Sequence, residues 1–211
     1  MINCRYGGQG AGKQYAAFFQ GGARGVLPSA LTYCTEEYNG SSWSAGGATS
    51  TNFSFASATG TSNSGLVFGG YPTQATTEEY NGSSWSSGGN LITGRCFLSG
   101  AGTQNATVTA GGLTPSRVSC VEEYNGTSWS VATSLPFAQS AFASAGVQNA
   151  SIFSHGFPST ITVNIYNGTT WGLGAYAPTS LYNRQGFGCV TNYVVAGTNT
   201  APQGQTEEYN I

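Results

Sequence analysis

A nine-residue segment recurs along this chain at a nearly constant spacing. Thr-Glu-Glu-Tyr-Asn-Gly-Ser-Ser-Trp occupies 35–43 and 77–85, returns with substitutions at 121–129 and 163–171, and its first five letters stand at 206–210. Spacings of 42, 44, 42 and 43 residues separate the central tyrosines, which are Tyr38, Tyr80, Tyr124, Tyr166 and Tyr209. Self-similarity at such a period indicates a protein built from stacked repeats. We therefore interpret 1–211 as one domain of five repeats of about 42 residues.

Each repeat carries the pattern of four short β-strands. Around the third copy of the segment, alternating residues and Gly-rich turns predict strands at 96–102, 106–110, 119–124 and 127–130. The pair Asn125-Gly126 favours a two-residue type I′ hairpin turn, in which both central residues have positive φ. No segment shows helical periodicity, so the pattern predicts an all-β fold.

A four-stranded unit with Gly-Gly after its second strand, Tyr in its third and Trp in its fourth resembles the kelch repeat. The residues that carry this resemblance are Gly69-Gly70, Tyr80 and Trp85, with their equivalents in the other repeats. The resemblance implies a five-bladed β-propeller of kelch-like four-stranded antiparallel blades, although kelch rings more often have six or seven blades. The copper ligands and cysteine-linked tyrosine of galactose oxidase have no counterpart here, so oxidase chemistry is not implied.

The segment Glu-Glu-Tyr-Asn-Gly-Ser-Ser-Trp also resembles repeats in predicted proteins of marine and other environmental bacteriophages. This second resemblance rests on the one motif. It implies a virion protein that is associated with a tail or fibre.

The fifth repeat is expected to supply three strands. The chain begins in phase with a first strand and stops on the third strand of the last repeat. Either Met1–Asn3 completes the fifth blade, or the blade lacks its outer strand and presents an edge. Another virion protein or a second copy of the chain would dock at such an edge.

Composition excludes several partners and narrows the chemistry. Charged residues make up 7% of the chain and the net charge is -2, so no basic surface for nucleic acid is expected. No apolar run is long enough for a membrane span, and the N-terminus carries no signal-peptide pattern, which predicts synthesis in the host cytoplasm and no membrane insertion. The chain has no Asp and one His, and all eight Glu belong to the repeats.

The Glu-Glu pairs are interpreted as structural. Neighbouring strand residues point to opposite faces, so a pair is not a two-carboxylate site. We expect these side chains to accept hydrogen bonds from loop amides, and a metal-binding ring or a catalytic role are the alternatives. The single histidine, His155, replaces a repeat glycine, which favours substitution in the most divergent repeat over a ligand contact. No catalytic residue, metal ligand or cofactor is predicted.

Functional residues are expected in the loops that differ between repeats. These loops follow the double glycine and the fourth strand of each repeat. The aromatic and basic residues there that do not recur are Arg24, Tyr71, Arg95, Arg117, Phe157, Tyr176, Tyr182 and Arg184. Aromatic faces beside planar polar groups are suited to sugars, so we interpret these residues as candidates for ligand binding.

The expected function is that of a non-enzymatic binding or structural module. The first hypothesis is a virion appendage protein that recognises a carbohydrate of the host surface or caps an appendage. The second is a cellular kelch-type module for protein interaction. An enzyme of the galactose-oxidase or glycosidase type comes third, because a paired-carboxylate mechanism needs two acids in different environments and near-identical repeats do not supply them.

Overall fold

A computed structural model describes residues 4–25, 30–158, 161–177, 185–196 and 206–210 of the chain. These residues form 21 β-strands and contain no helix. The part of the chain so described accordingly has no helix long and apolar enough to cross a membrane. The expectation of an all-β protein is confirmed.

The first two four-stranded sheets, blade 1 and blade 2, have their strands in chain order, each antiparallel to the next. Blade 1 consists of β1 to β4, which are Gln9–Lys13, Ala16–Gln20, Thr35–Tyr38 and Trp43–Ala45. Blade 2 consists of β5 to β8, which are Ser57–Thr61, Ser64–Phe68, Thr77–Tyr80 and Trp85–Ser87.

Blades 3 and 4 repeat this order of strands. Blade 3 contains β9 (Ser99–Thr103), β10 (Ala106–Ala110), β13 (Val121–Tyr124) and β14 (Trp129–Ala132). Blade 4 contains β15 to β18, which are Ala143–Val147, Ala150–Ser154, Val163–Tyr166 and Trp171–Leu173.

Two smaller sheets complete the described structure. A three-stranded sheet joins β19 (Gln185–Gly188), β20 (Asn192–Ala196) and β21 (Thr206–Asn210). A two-stranded hairpin joins β11 (Leu113–Thr114) to β12 (Ser116–Arg117). The chain is therefore an all-β protein of the β-propeller class, built from four-stranded antiparallel blades. Met1–Asn3, which sequence analysis considered as a completing strand, lies outside the described residues.

The contacts group the chain into two compact units. The first combines Met1–Cys96 with Thr103–Asn105 and Tyr124–Trp129, and the second comprises Phe97–Gly102, Ala106–Glu123 and Ser130–Ile211. Within the first unit β1 contacts β5, and within the second β15 contacts β19, so in each of these two pairs the sheets pack first strand beside first strand. The interpretation of 1–211 as one domain stays a prediction.

The first strand of blade 3 begins later than the sequence predicts. The structure places it at Ser99–Thr103, whereas the prediction was 96–102. Phe97 has a φ of 53°, a left-handed conformation that cannot belong to an extended strand. Phe55 and Ala141 have the same feature at the equivalent place, with φ of 51° and 58°. A backbone kink thus precedes this strand in several repeats.

The prediction of a two-residue type I′ turn at Asn125-Gly126 is wrong, because Gly126 has a φ of 89° but the φ of Asn125 is not positive. The equivalent turn of blade 1 shows the geometry: Tyr38 pairs directly with Trp43, so four residues make the loop. Gly40 has a φ of 96°, whereas that of Asn39 is not positive. Instead, the Asn39 side-chain oxygen accepts the N–H of Ser41 at 3.0 Å and of Ser42 at 2.9 Å. The asparagine therefore acts as a local acceptor that closes the loop, as in an Asx turn.

Candidate functional site

The strand order fixes which connections share an end of each blade. Because the strands alternate in direction, the loops after the second and fourth strands lie at one end, which we call the loop end. The turns after the first and third strands lie at the other. The six sequence-predicted candidates that the structure describes fall in connections of the loop end. Tyr182 and Arg184 lie outside the described residues.

In the first unit, two of the candidates are accessible at the loop end. Arg24 is exposed, and its Nη2 lies 3.8 Å from the sulfur of Cys34. Tyr71 is half-buried, its N–H donates to the Ser54 carbonyl at 2.7 Å, and its own carbonyl accepts Nε2 of Gln74 at 2.7 Å. The backbone of Tyr71 is therefore well fixed.

Arg95 is not a surface residue, and this candidate needs correction. Its side chain is 0% exposed. Its Nη1 donates to the Thr93 carbonyl at 3.2 Å, and its backbone is bonded to Gln74 and Gly70. The sequence suggested an exposed loop because Arg95 is a non-repeated basic residue in the variable connection after the fourth strand, but its side chain is buried there. Arg95 belongs to the framework of the first unit.

The structure brings two of the candidates together in the second unit. The guanidinium carbon of Arg117 lies 3.9 Å from the centroid of the Phe157 ring. Arg117 is exposed at the end of β12, while Phe157 is half-buried. Tyr176 is 66% exposed in the connection that follows β18, next to Ala177, whose N–H donates to the Ile161 carbonyl at 2.7 Å.

Arg117 lies in a β-hairpin that was not predicted from the sequence. It expected a plain loop around Pro115, whereas Leu113 pairs with Arg117 and Thr114 with Ser116. The signal was present, because a proline between two hydroxyl residues is typical of a tight turn. Arg117 is consequently held at a fixed place.

In the pairs at 36–37, 78–79 and 122–123, the first glutamate is buried within the framework. Glu36 forms an ion pair with Arg5 at 3.3 Å. Glu78 accepts the backbone N–H groups of Ser50 at 3.0 Å and Thr51 at 2.8 Å. The expected role as an acceptor for loop amides is confirmed at Glu78.

The second glutamate binds the tyrosine of the following blade. Tyr124 donates to Oε1 of Glu79 at 2.6 Å, Tyr166 donates to Glu123 at 2.9 Å, and Tyr80 makes the same bond to Glu37. Burial, assisted by these hydrogen bonds, raises the pKa of Tyr80, Tyr124 and Tyr166 to about 12 each. The phenols are therefore neutral donors at ordinary pH.

The tryptophans make a second bond between neighbouring blades. Nε1 of Trp85 donates to the Thr35 hydroxyl at 2.8 Å, and Nε1 of Trp129 donates to Thr77 at 3.0 Å. In blade 3, Val121 takes the place of this threonine and offers no hydroxyl. Trp171 of blade 4 donates to the Thr133 carbonyl at 2.7 Å instead. The repeated motif is thus a set of connectors between blades.

A turn-end glutamine adds a third connector in two repeats. Nε2 of Gln104 donates to the carbonyls of Gly65 and Tyr80, each at 2.9 Å. Gln148 donates to the Thr107 carbonyl at 3.1 Å.

His155 is buried and has the left-handed backbone conformation of the glycine that it replaces. It has a φ of 56° where Gly21, Gly69 and Gly111 stand with φ of 66°, 72° and 61°. Its Nδ1 lies 2.7 Å from the Ser154 hydroxyl. This conformation agrees with the interpretation that His155 is a substitution of the repeat glycine in the most divergent repeat.

Within the described ranges, no group of three or more His, Cys, Asp or Glu side chains is arranged to hold a metal ion. None of the five cysteines forms a disulfide. The described Glu-Glu pairs point to opposite faces, with Glu36, Glu78 and Glu122 buried and their neighbours only half-buried.

The comparisons with known proteins identify no family. A scan against protein-family models finds no match, and a search of the curated proteins finds no related sequence. Functional inference therefore rests on the residues of this chain.

Proposed function

We propose that the protein is a non-enzymatic binding module whose repeats form the scaffold and whose loop end makes the contacts. One observation carries this proposal: the carboxylates of Glu36, Glu78 and Glu79 are bound within the framework. Exposed Arg24, Arg117 and Tyr176, in contrast, project from loops that differ between repeats. General acid–base chemistry needs a positioned group that can reach the substrate. Buried or phenol-bound glutamates are poorly placed for that role.

We propose further that the three-stranded sheet is the fifth blade of a closed kelch-like ring. The connector residues support closure, because the sequence has Thr206 and Glu208 on β21 and Tyr38 and Trp43 on blade 1. These residue types form the Trp–Thr and Glu–Tyr bonds at other junctions. Tyr38 is half-buried and its hydroxyl donates to the Gly40 carbonyl at 2.8 Å, a bond that closure of the ring would exchange for one to the Glu208 carboxylate.

A double-mutant cycle tests closure. In a closed monomer, Tyr38→Phe and Glu208→Gln each lower stability, and the double variant loses less than the sum of the two. Light scattering of the wild type distinguishes closure within one chain from closure between two copies. Strictly additive losses, or a dimer that Tyr38→Phe dissociates, would contradict a monomeric ring.

The proposed setting is a bacteriophage virion, with a glycan of the host surface as the ligand. The setting rests on the resemblance of the Glu-Glu-Tyr-Asn-Gly-Ser-Ser-Trp repeats to those of environmental phages. Glycan recognition is supported by exposed aromatic and guanidinium groups at the loop end.

A glycan array probed with the purified full chain tests the ligand class. The expected result is a hit that substitutions at the loop end abolish and substitutions at the turn end preserve. Turnover of any arrayed sugar would overturn the non-enzymatic proposal. Neighbouring genes for tail or capsid proteins support the virion setting, whereas genes of a cellular pathway would favour a cellular interaction module.

A further inference from the structure

The contact between Arg117 and Phe157 has the geometry of an anchoring point for an anion. The guanidinium carbon lies 3.9 Å above the centre of the ring. A guanidinium held over an aromatic face uses none of its N–H donors in that contact, and Arg117 is exposed, so these donors can reach a ligand. The arginine is therefore oriented before any ligand arrives.

The backbone holds both partners of this contact in place. Arg117 ends the β11–β12 hairpin, in which it pairs with Leu113. The N–H of Val118, the next residue, donates to the Gly112 carbonyl at 3.1 Å. Phe157 exchanges two backbone hydrogen bonds with Ser140, at 2.7 and 3.2 Å. Such fixation reduces the entropy that is lost when a ligand binds.

The positive charge of Arg117 is not compensated within the described part of the chain. Beyond the hairpin, its guanidinium contacts the Phe157 ring and no carboxylate among the described residues. The acidic residues of the same repeat are occupied or buried, since Glu123 accepts the Tyr166 hydroxyl and Glu122 is 2% exposed. With charged residues at 7% of the whole chain, this exposed cation stands on a surface made mostly of neutral groups.

A carboxylate is the group that fits this arrangement. It accepts two parallel N–H bonds from a guanidinium, and such charge-assisted pairs are about twice as strong as neutral ones. The surrounding side chains are neutral: Ser116 is exposed and Thr114 is half-buried. At the same end of blade 4, Ile161 and Tyr176 are 40% and 66% exposed and offer apolar surface for the faces of sugar rings.

We propose that Arg117, stacked on Phe157, binds the carboxylate of an acidic sugar such as a uronate or a sialate. The inference rests on the proposed function and names the class of glycan that the loop end selects. Hydroxyl and apolar surface around one cation favours a sugar over an acidic peptide, whose repeated charges would meet no second exposed cation in the described residues of the β11–β12 hairpin or beside Phe157.

An array that carries uronate- and sialate-terminated oligosaccharides beside the same compounds with the carboxyl group reduced tests the proposal on the full chain. The expected result is binding to the carboxylated members alone, with Arg117→Gln weakening it about tenfold or more. Arg117→Lys weakens it as well, because lysine lacks the planar fork. Phe157→Leu keeps the charge but removes the stacking face, so binding falls less than in Arg117→Gln.

Lys13→Gln is the matched control, because it removes an exposed positive charge from β1 at the turn end of blade 1. Its binding is expected to equal that of the wild type. Circular dichroism and unfolding midpoints verify that each variant is folded.

The outcomes separate this inference from the proposed function. Equal binding to reduced and carboxylated glycans, or binding that Arg117→Gln leaves intact, overturns the inference and leaves glycan recognition standing. No binding to any glycan overturns both. Binding to an oligoglutamate peptide, with none to acidic glycans, would contradict an acidic sugar as the ligand and indicate an acidic peptide instead.

Discussion

Two junctions between neighbouring sheets are held by different contacts, polar hydrogen bonds at one and apolar packing at the other. In the first unit, blade 2 is joined to the segment Tyr124–Trp129 by Tyr124 bound to Glu79 and by Trp129 bound to Thr77. In the second unit, blade 4 and the three-stranded sheet meet in an apolar cluster that includes Ile152, Val163, Tyr193 and Val195. Valine and isoleucine stand at 163 and 165, where blades 1 and 2 have Thr and the second Glu.

The comparison teaches that the polar connectors are not obligatory for stacking sheets. Apolar burial provides the larger free energy, about 25 cal/mol for each Å² removed from water. A net hydrogen bond contributes about 1 kcal/mol, but an unmatched buried group costs more. We infer that the Glu–Tyr and Trp–Thr bonds mainly fix how neighbouring blades align, while apolar contact holds them together.

The largest expected effect is at the apolar junction. Ile152→Ala removes a fully buried side chain from that cluster, and the free energy of unfolding should fall by about 2–5 kcal/mol. Leu66→Ala is the matched variant, because Leu66 occupies the same place in blade 2 and is also fully buried. Denaturant unfolding measures both. If Ile152→Ala destabilised the protein less than the loss of a Glu–Tyr or Trp–Thr bond, the inference that apolar contact provides most of the stability would be wrong.

Tyr124→Phe is expected to have the next largest effect. It leaves Oε1 of Glu79 without its phenol donor and also removes the acceptor for the Gly89 N–H at 3.3 Å. The expected loss is about 1–2 kcal/mol. Tyr15→Phe serves as the control, since Tyr15 is 66% exposed and its hydroxyl should contribute little. A neutral result at Tyr124 would show that the connector does not matter even for stability.

Thr77→Val should cost about 1 kcal/mol, because the buried Nε1 of Trp129 loses its acceptor. The chain itself contains the matching case: valine at 121 leaves Trp171 bonded to the Thr133 carbonyl instead. Thr61→Val, at an exposed position on β5, is the control. Unfolding midpoints and tryptophan fluorescence are the measurements. An unchanged midpoint together with a shifted emission spectrum would mean that Trp129 finds another acceptor.

The smallest expected effect is a change in alkaline sensitivity. The pKa of buried Tyr124 is raised to about 12, against about 10 for an unfolded tyrosine. Above pH 10 the unfolded chain therefore binds fewer protons than the native chain, and stability falls as pH rises toward 12. Below pH 10 this contribution is fully present. Tyr124→Phe should lose stability less steeply between pH 10 and 12 than the wild type, and equal slopes in both proteins would contradict the raised pKa.

Sequence reasoning recovered the strands wherever local pattern decides them. The second strand of blade 3 was predicted at 106–110 and is found at Ala106–Ala110. Reasoning failed at Phe97, whose left-handed φ is not a preference of phenylalanine. The surrounding structure imposes that conformation, and the Phe97 carbonyl accepts the Ala141 N–H at 2.7 Å. It also failed at Asn39, where a side-chain oxygen rather than a positive φ closes the loop.

The residues of the candidate site could be predicted from the sequence, but their contact in space could not. Arg117 and Phe157 were recognised because they break the repeat, but they are 40 residues apart and nothing in the sequence pairs them. Arg95 met the same criterion and is buried. Whether a loop side chain points outward depends on the backbone path of its neighbours, which residue type alone does not reveal.

The sequence by itself determined the repeat, the β-class and the opposite faces of the Glu-Glu pairs, because strand periodicity and self-similarity are local properties. Only the tertiary structure decided what each glutamate binds, since Glu79 and Tyr124 become neighbours through packing of one sheet on the next. The same holds for the stacking of Arg117 on Phe157, which depends on two loops from different sheets meeting in space.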